Sequence, residues 1–205
     1  IGPFAFANPR FEYSIYSLNP FAFIQVFPFG LSSFPLPYNF AAGDVDGTVN
    51  FLVYQESNGS FTIPDGETTN LPGELIKVKA KRLDTFLDEI NIEHVDFVRM
   101  DVEGYESHII QGMKNTIQKS KPMFQIEVHA SLLGQEGTRN FLKDFQNFGY
   151  EAKYYVPRDI DLPIIGSMRD VKQYDIDTLL EMLENGSLSH FFNLCLKFND
   201  DKFNL

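Results

Sequence analysis

The stretch Val95-Asp96-Phe97-Val98-Arg99-Met100-Asp101-Val102-Glu103-Gly104-Tyr105-Glu106 is the one from which the fold is read. Its first half, Val95 to Met100, is β-branched, aromatic and apolar enough to form a strand. Its second half sets three carboxylates, Asp101, Glu103 and Glu106, around a glycine. A helical stripe then begins, with Tyr105, Ile109, Met113 and Ile117 four apart on one face. A strand running into an acidic turn and then a helix is one half of a βαβ unit.

Outward from this point the same grammar repeats. Upstream, Leu83, Phe86, Leu87 and Ile90 fall at helical spacing, with Asp84 placed as the N-cap of that helix. Downstream, Pro122 opens a strand over Met123-Phe124-Gln125-Ile126-Glu127-Val128. Phe141, Leu142, Phe145 and Phe148 make a helix stripe stopped by Gly149, and Tyr150 to Val156 is a strand. Asp175 to Glu184 is a helix stopped by Asn185-Gly186, and Phe191 to Phe198 is the last strand. Alternating strands and helices predict a mostly parallel α/β sheet with helices on its faces. The last two strands bracket an excursion over 157–175 and are expected to pair antiparallel at an edge.

Before residue 75 the pattern differs. Tyr38 to Ala42 and Thr48 to Tyr54 read as strands joined at Asp44-Val45-Asp46-Gly47, together a hairpin. Residues 55–74 read as a loop, and Ile76 to Lys81 as an edge or half-exposed strand. The first 40 residues hold nine of the 21 Phe, six of the 11 Pro and two charges, Arg10 and Glu12. Short apolar runs at Ile15-Tyr16-Ser17-Leu18 and Ile24-Gln25-Val26-Phe27 suit strands. The prolines leave no room between them for the helical crossover that parallel strands need.

Composition bounds the function. With 205 residues the chain suits one large domain, or at most two small ones. A net charge of −11 argues against nucleic acid as a partner, and no apolar run is long enough to span a membrane. Residues 1–40 lack the basic start and unbroken apolar run of a signal peptide. The lone Cys195 permits no intrachain disulfide and fits a cytoplasmic setting.

In open α/β sheets, ligands bind beyond the carboxyl ends of the strands, so the residues after Met100 and Val128 are the candidates for chemistry. Asp101 and Glu103 there have two readings: helix capping, or cleft carboxylates acting as base, metal ligand or cofactor contact. Glu127 and His129 lie on the same side of their strand by its period of two. A carboxylate beside a strand-end histidine can tune it for acid–base work, and a plain hydrogen-bonded histidine fits equally. His94, His108, His190 and Cys195 show no mutual ligand spacing, so no zinc site is expected. Clustered carboxylates can hold magnesium, but nothing here demands a metal.

The run from Val95 to Glu106 resembles the "I-D-F-I-K-I-D-V-E-G-x-E" signature of FkbM-type methyltransferases, with Arg99 in place of the usual lysine. Leu83-Asp84-Thr85-Phe86-Leu87, Ile109-Ile110-Gln111-Gly112-Met113, Pro122 to His129 and Ala41 to Phe51 resemble that family's flanking segments, in order. The resemblance implies a class I, Rossmann-like methyltransferase fold: a mostly parallel seven-stranded sheet with an antiparallel C-terminal edge strand. It also implies methyl transfer from S-adenosylmethionine to a hydroxyl of a sugar or small metabolite. Asp101, Glu103 and His129 then become the catalytic candidates, and Gly2, Asn19 and Asp44 the cofactor contacts. Ile1-Gly2-Pro3-Phe4 resembles the tail of the family's glycine turn without its leading Asp. Asn19 stands where the ribose-binding acid belongs. Residues 1–37 thus read as the incomplete remnant of a cofactor-binding half, trimmed or spliced near Ala7-Asn8 and Phe23-Ile24, and 38–205 as the remainder of one domain. Two rivals remain: a methyltransferase-like binding module that has lost its cofactor, and a metal-dependent hydrolase in which Asp101, Glu103, Glu127 and His129 converge.

Overall fold

A computed structural model of the chain describes residues 13–16, 23–27, 38–54, 61–63, 73–158 and 172–199. In chain order the elements are β1 (Tyr13–Tyr16), β2 (Phe23–Phe27), β3 (Tyr38–Asn39), β4 (Ala41–Gly43), β5 (Gly47–Tyr54), β6 (Phe61–Ile63) and β7 (Gly73–Arg82). There follow α1 (Leu83–Glu89), β8 (Phe97–Asp101), α2 (Glu106–Gly112), α3 (Lys114–Ser120), β9 (Met123–His129), α4 (Ala130–Asn147), β10 (Tyr150–Pro157), α5 (Ile176–Glu184) and β11 (Phe191–Phe198). None of these helices is long and apolar enough to cross a membrane.

The strands form two mixed sheets, ordered β10-β11-β9-β8-β2-β1-β3 and β4-β7-β5-β6. The expectation of a mostly parallel sheet is corrected. In the first sheet β8 with β9 and β1 with β3 are parallel pairs, whereas β1 with β2, β2 with β8, β9 with β11 and β10 with β11 are antiparallel. The reason lies in the connections. Between β8 and β9 run two helices, enough for a crossover, whereas Tyr16 and Phe23 are too close in sequence for one.

The C-terminal strand does pair antiparallel, but not at the edge. β11 inserts between β9 and β10, with Phe192, Leu194 and Leu196 fully buried, and β10 takes the rim. An irregular register between Ala152 and Tyr154 and the exposed Tyr154 ring suit β10 to that position. The expected hairpin is also corrected. β4 and β5 do not pair; β7 lies between them, with Ala80 facing Ala41 on one side and Gly47 on the other. β7 is therefore half exposed, as its alternation predicted, but an inner strand.

Apolar side chains from β8, β9 and β11 meet α4 in the main core. Phe124, Phe141 and Phe145 stack edge to face there, with Phe124 and Phe145 centred 5.0 Å apart. The helix expected over 105–117 is broken at Met113, whose φ of −126° ends α2 before α3 begins. Asp84 explains the restart. It is not the cap of its own helix, whose N-cap is Arg82. Its buried carboxylate instead accepts from Asn115 N–H at 3.0 Å, Thr116 N–H at 2.9 Å and the Thr116 hydroxyl at 2.7 Å. It thus satisfies the free amides of α3 from another element.

Candidate active site

β8 and β9 are parallel neighbours in a register that sets Asp101 opposite Glu127, so both strands end at the same edge. Beyond Asp101 the chain turns tightly. Glu103 and Gly104 take positive φ values of 51° and 90°, and Tyr105 N–H closes the turn onto the Val102 carbonyl at 3.3 Å. Glycine is required at 104: a Cβ there would lie 2.7 Å from that of Leu132, in a backbone region costly for L side chains. The turn returns Glu103 towards His129, the last residue of β9.

His129 is 4% exposed and is held from several sides. Its Nδ1 lies 2.8 Å from Glu106 Oε1, its Nε2 3.4 Å from Glu103 Oε2, and the Phe191 ring meets it edge-on at 5.6 Å. Asp101, Glu103 and His129 each offer a donor atom within 4.8 Å of the other two, the spacing of an acid–base set and equally of ligands to a divalent ion. Glu127 stands beside them, with Arg158 3.6 Å away.

Charge is crowded here. Burial, with Glu127 and Glu103 as like charges, pushes the Asp101 carboxyl up to about 6, against the pull of His129 and Arg99. Burial alone would lower the His129 imidazole, but Glu106, Glu103 and Asp101 together raise it above its ordinary value. The edge therefore holds exchangeable protons near neutral pH.

Of the residues singled out from sequence, Asp101, Glu103 and His129 come together. Neither Asp101 nor Glu103 caps α2, whose N-cap Tyr105 makes no side-chain capping bond. Asp44 sits on the turn after β4, with its carboxylate 3.1 Å from His108 Nδ1, and His108 stacks on Tyr105 at 4.3 Å. Gly2 and Asn19 lie outside the described residues. Sequence reasoning missed Glu106. The signal was the third carboxylate of the acidic run, which ordinary first-turn preference for acids explains away.

The methyltransferase FkbM domain model matches residues 4–154. Over 87 residues the chain is 41% identical to 2-O-methyltransferase NoeI of Sinorhizobium fredii (strain NBRC 101917 / NGR234), covering 42% of this chain and 35% of that relative. The chain thus spans about a third of the length of the curated relative it matches. No solved structure matches it. The acidic run, the strand-end histidine and the domain match together make this chain a member of the FkbM methyltransferase family.

Proposed function

We propose that this chain transfers a methyl group from S-adenosylmethionine to a hydroxyl oxygen of a sugar or small metabolite. The observation that carries the reading is the convergence of Asp101 and Glu103 on His129 at the carboxyl ends of β8 and β9. The family supports methyl transfer, and the relative's name, a 2-O-methyltransferase, supports oxygen as the acceptor.

The donor set fits the cofactor in charge. Asp101, Glu103 and Glu127 make the edge anionic, which favours a sulfonium cation and disfavours an anionic acceptor. Asp44, partly exposed on the turn after β4, is the candidate for the adenine side of the cofactor. Bound S-adenosylmethionine supplies an electrophilic methyl carbon. The chain's own part is to strip a proton from the acceptor and hold the oxygen in line. His129 Nε2 takes that proton, and the carboxylates of Glu103 and Glu106, at 3.4 and 2.8 Å from its ring nitrogens, stabilise the imidazolium that results. Asp101 adds negative charge that also favours the imidazolium.

We assign the whole chain to one domain, and the lone Cys195, which permits no intrachain disulfide, supports the cytoplasm as its place of action. The hydrolase reading called for Asp101, Glu103, Glu127 and His129 to converge; Asp101, Glu103 and His129 do so while Glu127 faces Arg158, and methyltransferase family membership favours transfer. Calorimetric titration of the full-length protein with S-adenosylmethionine tests the proposal. Saturable binding is expected; its absence would leave a methyltransferase-like binding module.

A further inference from the structure

We infer that Glu106 is the positioning residue of this site: it holds His129 with the proton on Nδ1, so that Nε2 is the atom that meets the acceptor hydroxyl. The inference rests on the methyl-transfer reading for its catalytic consequence, but not for its geometry. Glu106 is 0% exposed, in the first turn of α2. Its Oε1 receives the His129 ring at Nδ1 (2.8 Å), the His129 backbone N–H (3.3 Å) and the Gly104 N–H (3.3 Å). One oxygen therefore fixes both the ring and the backbone of the histidine, and ties them to the turn that carries Glu103.

The other oxygen indicates why the residue is there. Glu106 Oε2 is buried and has no hydrogen-bond partner among the described residues. A buried carboxylate with an unsatisfied oxygen is expensive, and an apolar side chain of similar volume would serve stability as well or better. What an apolar residue could not do is accept the imidazole N–H. Carboxylate acceptors at one ring nitrogen select the tautomer and raise the basicity of the other nitrogen. The remaining charges facing the ring do not substitute for this. Glu103 approaches the opposite nitrogen at 3.4 Å, Asp101 belongs to β8, and Glu127 is engaged by Arg158. From β11 the ring meets Phe191, which carries no charge.

Nitrogen-15 NMR of His129 in the wild-type full-length protein reads the tautomer without substrate. The neutral ring is expected in the Nδ1–H form; a dominant Nε2–H form would overturn the inference, whatever the activity. The second arm is Glu106→Gln. Its amide oxygen can still accept from the two backbone N–H groups and from Nδ1–H, but it carries no charge to stabilise the imidazolium, so kcat is expected to fall on the order of tenfold or more with KM little changed. The pH at which activity rises should move down by about one unit, since the imidazolium loses its closest carboxylate. An unshifted profile with kcat intact would reduce Glu106 to a structural part. Should the variant not fold, the wild-type spectrum decides alone. The Nδ1–H form in a protein that methylates nothing would overturn methyl transfer and leave the grip of Glu106 on His129 standing.

Discussion

Replacing Asp101 with Asn should make the protein more stable at neutral pH while impairing its function. The carboxyl is raised from 3.8 to about 6, first by burial and then by Glu127 and Glu103. Its neutral form is thus the one the fold prefers. Stability from this group is fully present below pH 3.8, the unfolded value, and is lost as pH rises through about 6, the folded one. At pH 7.5 the charged carboxylate would cost about 3 kcal/mol if it were sealed from water. It is only partly buried, so screening brings the figure to roughly 1–2 kcal/mol. Asn has nearly the same shape and no charge, and it should recover that amount. Guanidinium denaturation of wild type and Asp101→Asn at pH 7.5 and pH 4 measures it. The expected result is a gain of roughly 1–2 kcal/mol at pH 7.5 that shrinks towards zero at pH 4. A loss of stability at pH 7.5, or a difference that does not change with pH, would refute the reasoning.

Three further outcomes follow from the geometry. Asp84→Ala removes three hydrogen bonds to the start of α3 and should cost about 2–4 kcal/mol by urea denaturation; a cost below about 0.5 kcal/mol would show that α3 needs no cap from α1. Gly112→Ala would set a Cβ 1.8 Å from the Gly43 carbonyl oxygen, so α2 must move off β4, at a cost of about 3 kcal/mol or more in the same assay. Treatment with EDTA should leave turnover unchanged; a loss restored by magnesium would instead make Asp101, Glu103 and His129 metal ligands.

What the sequence made legible was whatever depends on near neighbours. The apolar, β-branched and aromatic runs at Val95–Met100 and Met123–Val128 marked both strands, and the helical stripe between them marked their parallel pairing. Strand-end position then brought Asp101, Glu103 and His129 to one edge. Non-local pairing was not legible. Nothing near Ala41 or Gly47 says that β7, some thirty residues on, will separate them, because a turn-rich Asp44–Gly47 looks like a hairpin locally. The break at Met113 was hidden for the same reason: the stripe continues through it, while the group that restarts the helix is Asp84, 31 residues away from Asn115. β11 carried a partial signal. Its alternation of Phe192, Leu194 and Leu196 suits an inner strand, but strands at both edges and interiors of mixed sheets show one such face. Glu106 was illegible as a site residue because an acid in a first helical turn is ordinarily solvated, and complete burial is not written in its neighbours.

Single-turnover incubation of the full-length protein with methyl-labelled S-adenosylmethionine and a panel of glycosides and small hydroxyl compounds tests the central claim most directly. The label should pass to an acceptor oxygen with one S-adenosylhomocysteine formed per methyl transferred, and His129→Gln should slow the step by roughly 10²–10⁴-fold while cofactor binding persists. Transfer at the wild-type rate in His129→Gln, or no calorimetric binding of S-adenosylmethionine by the intact wild-type chain, would contradict it.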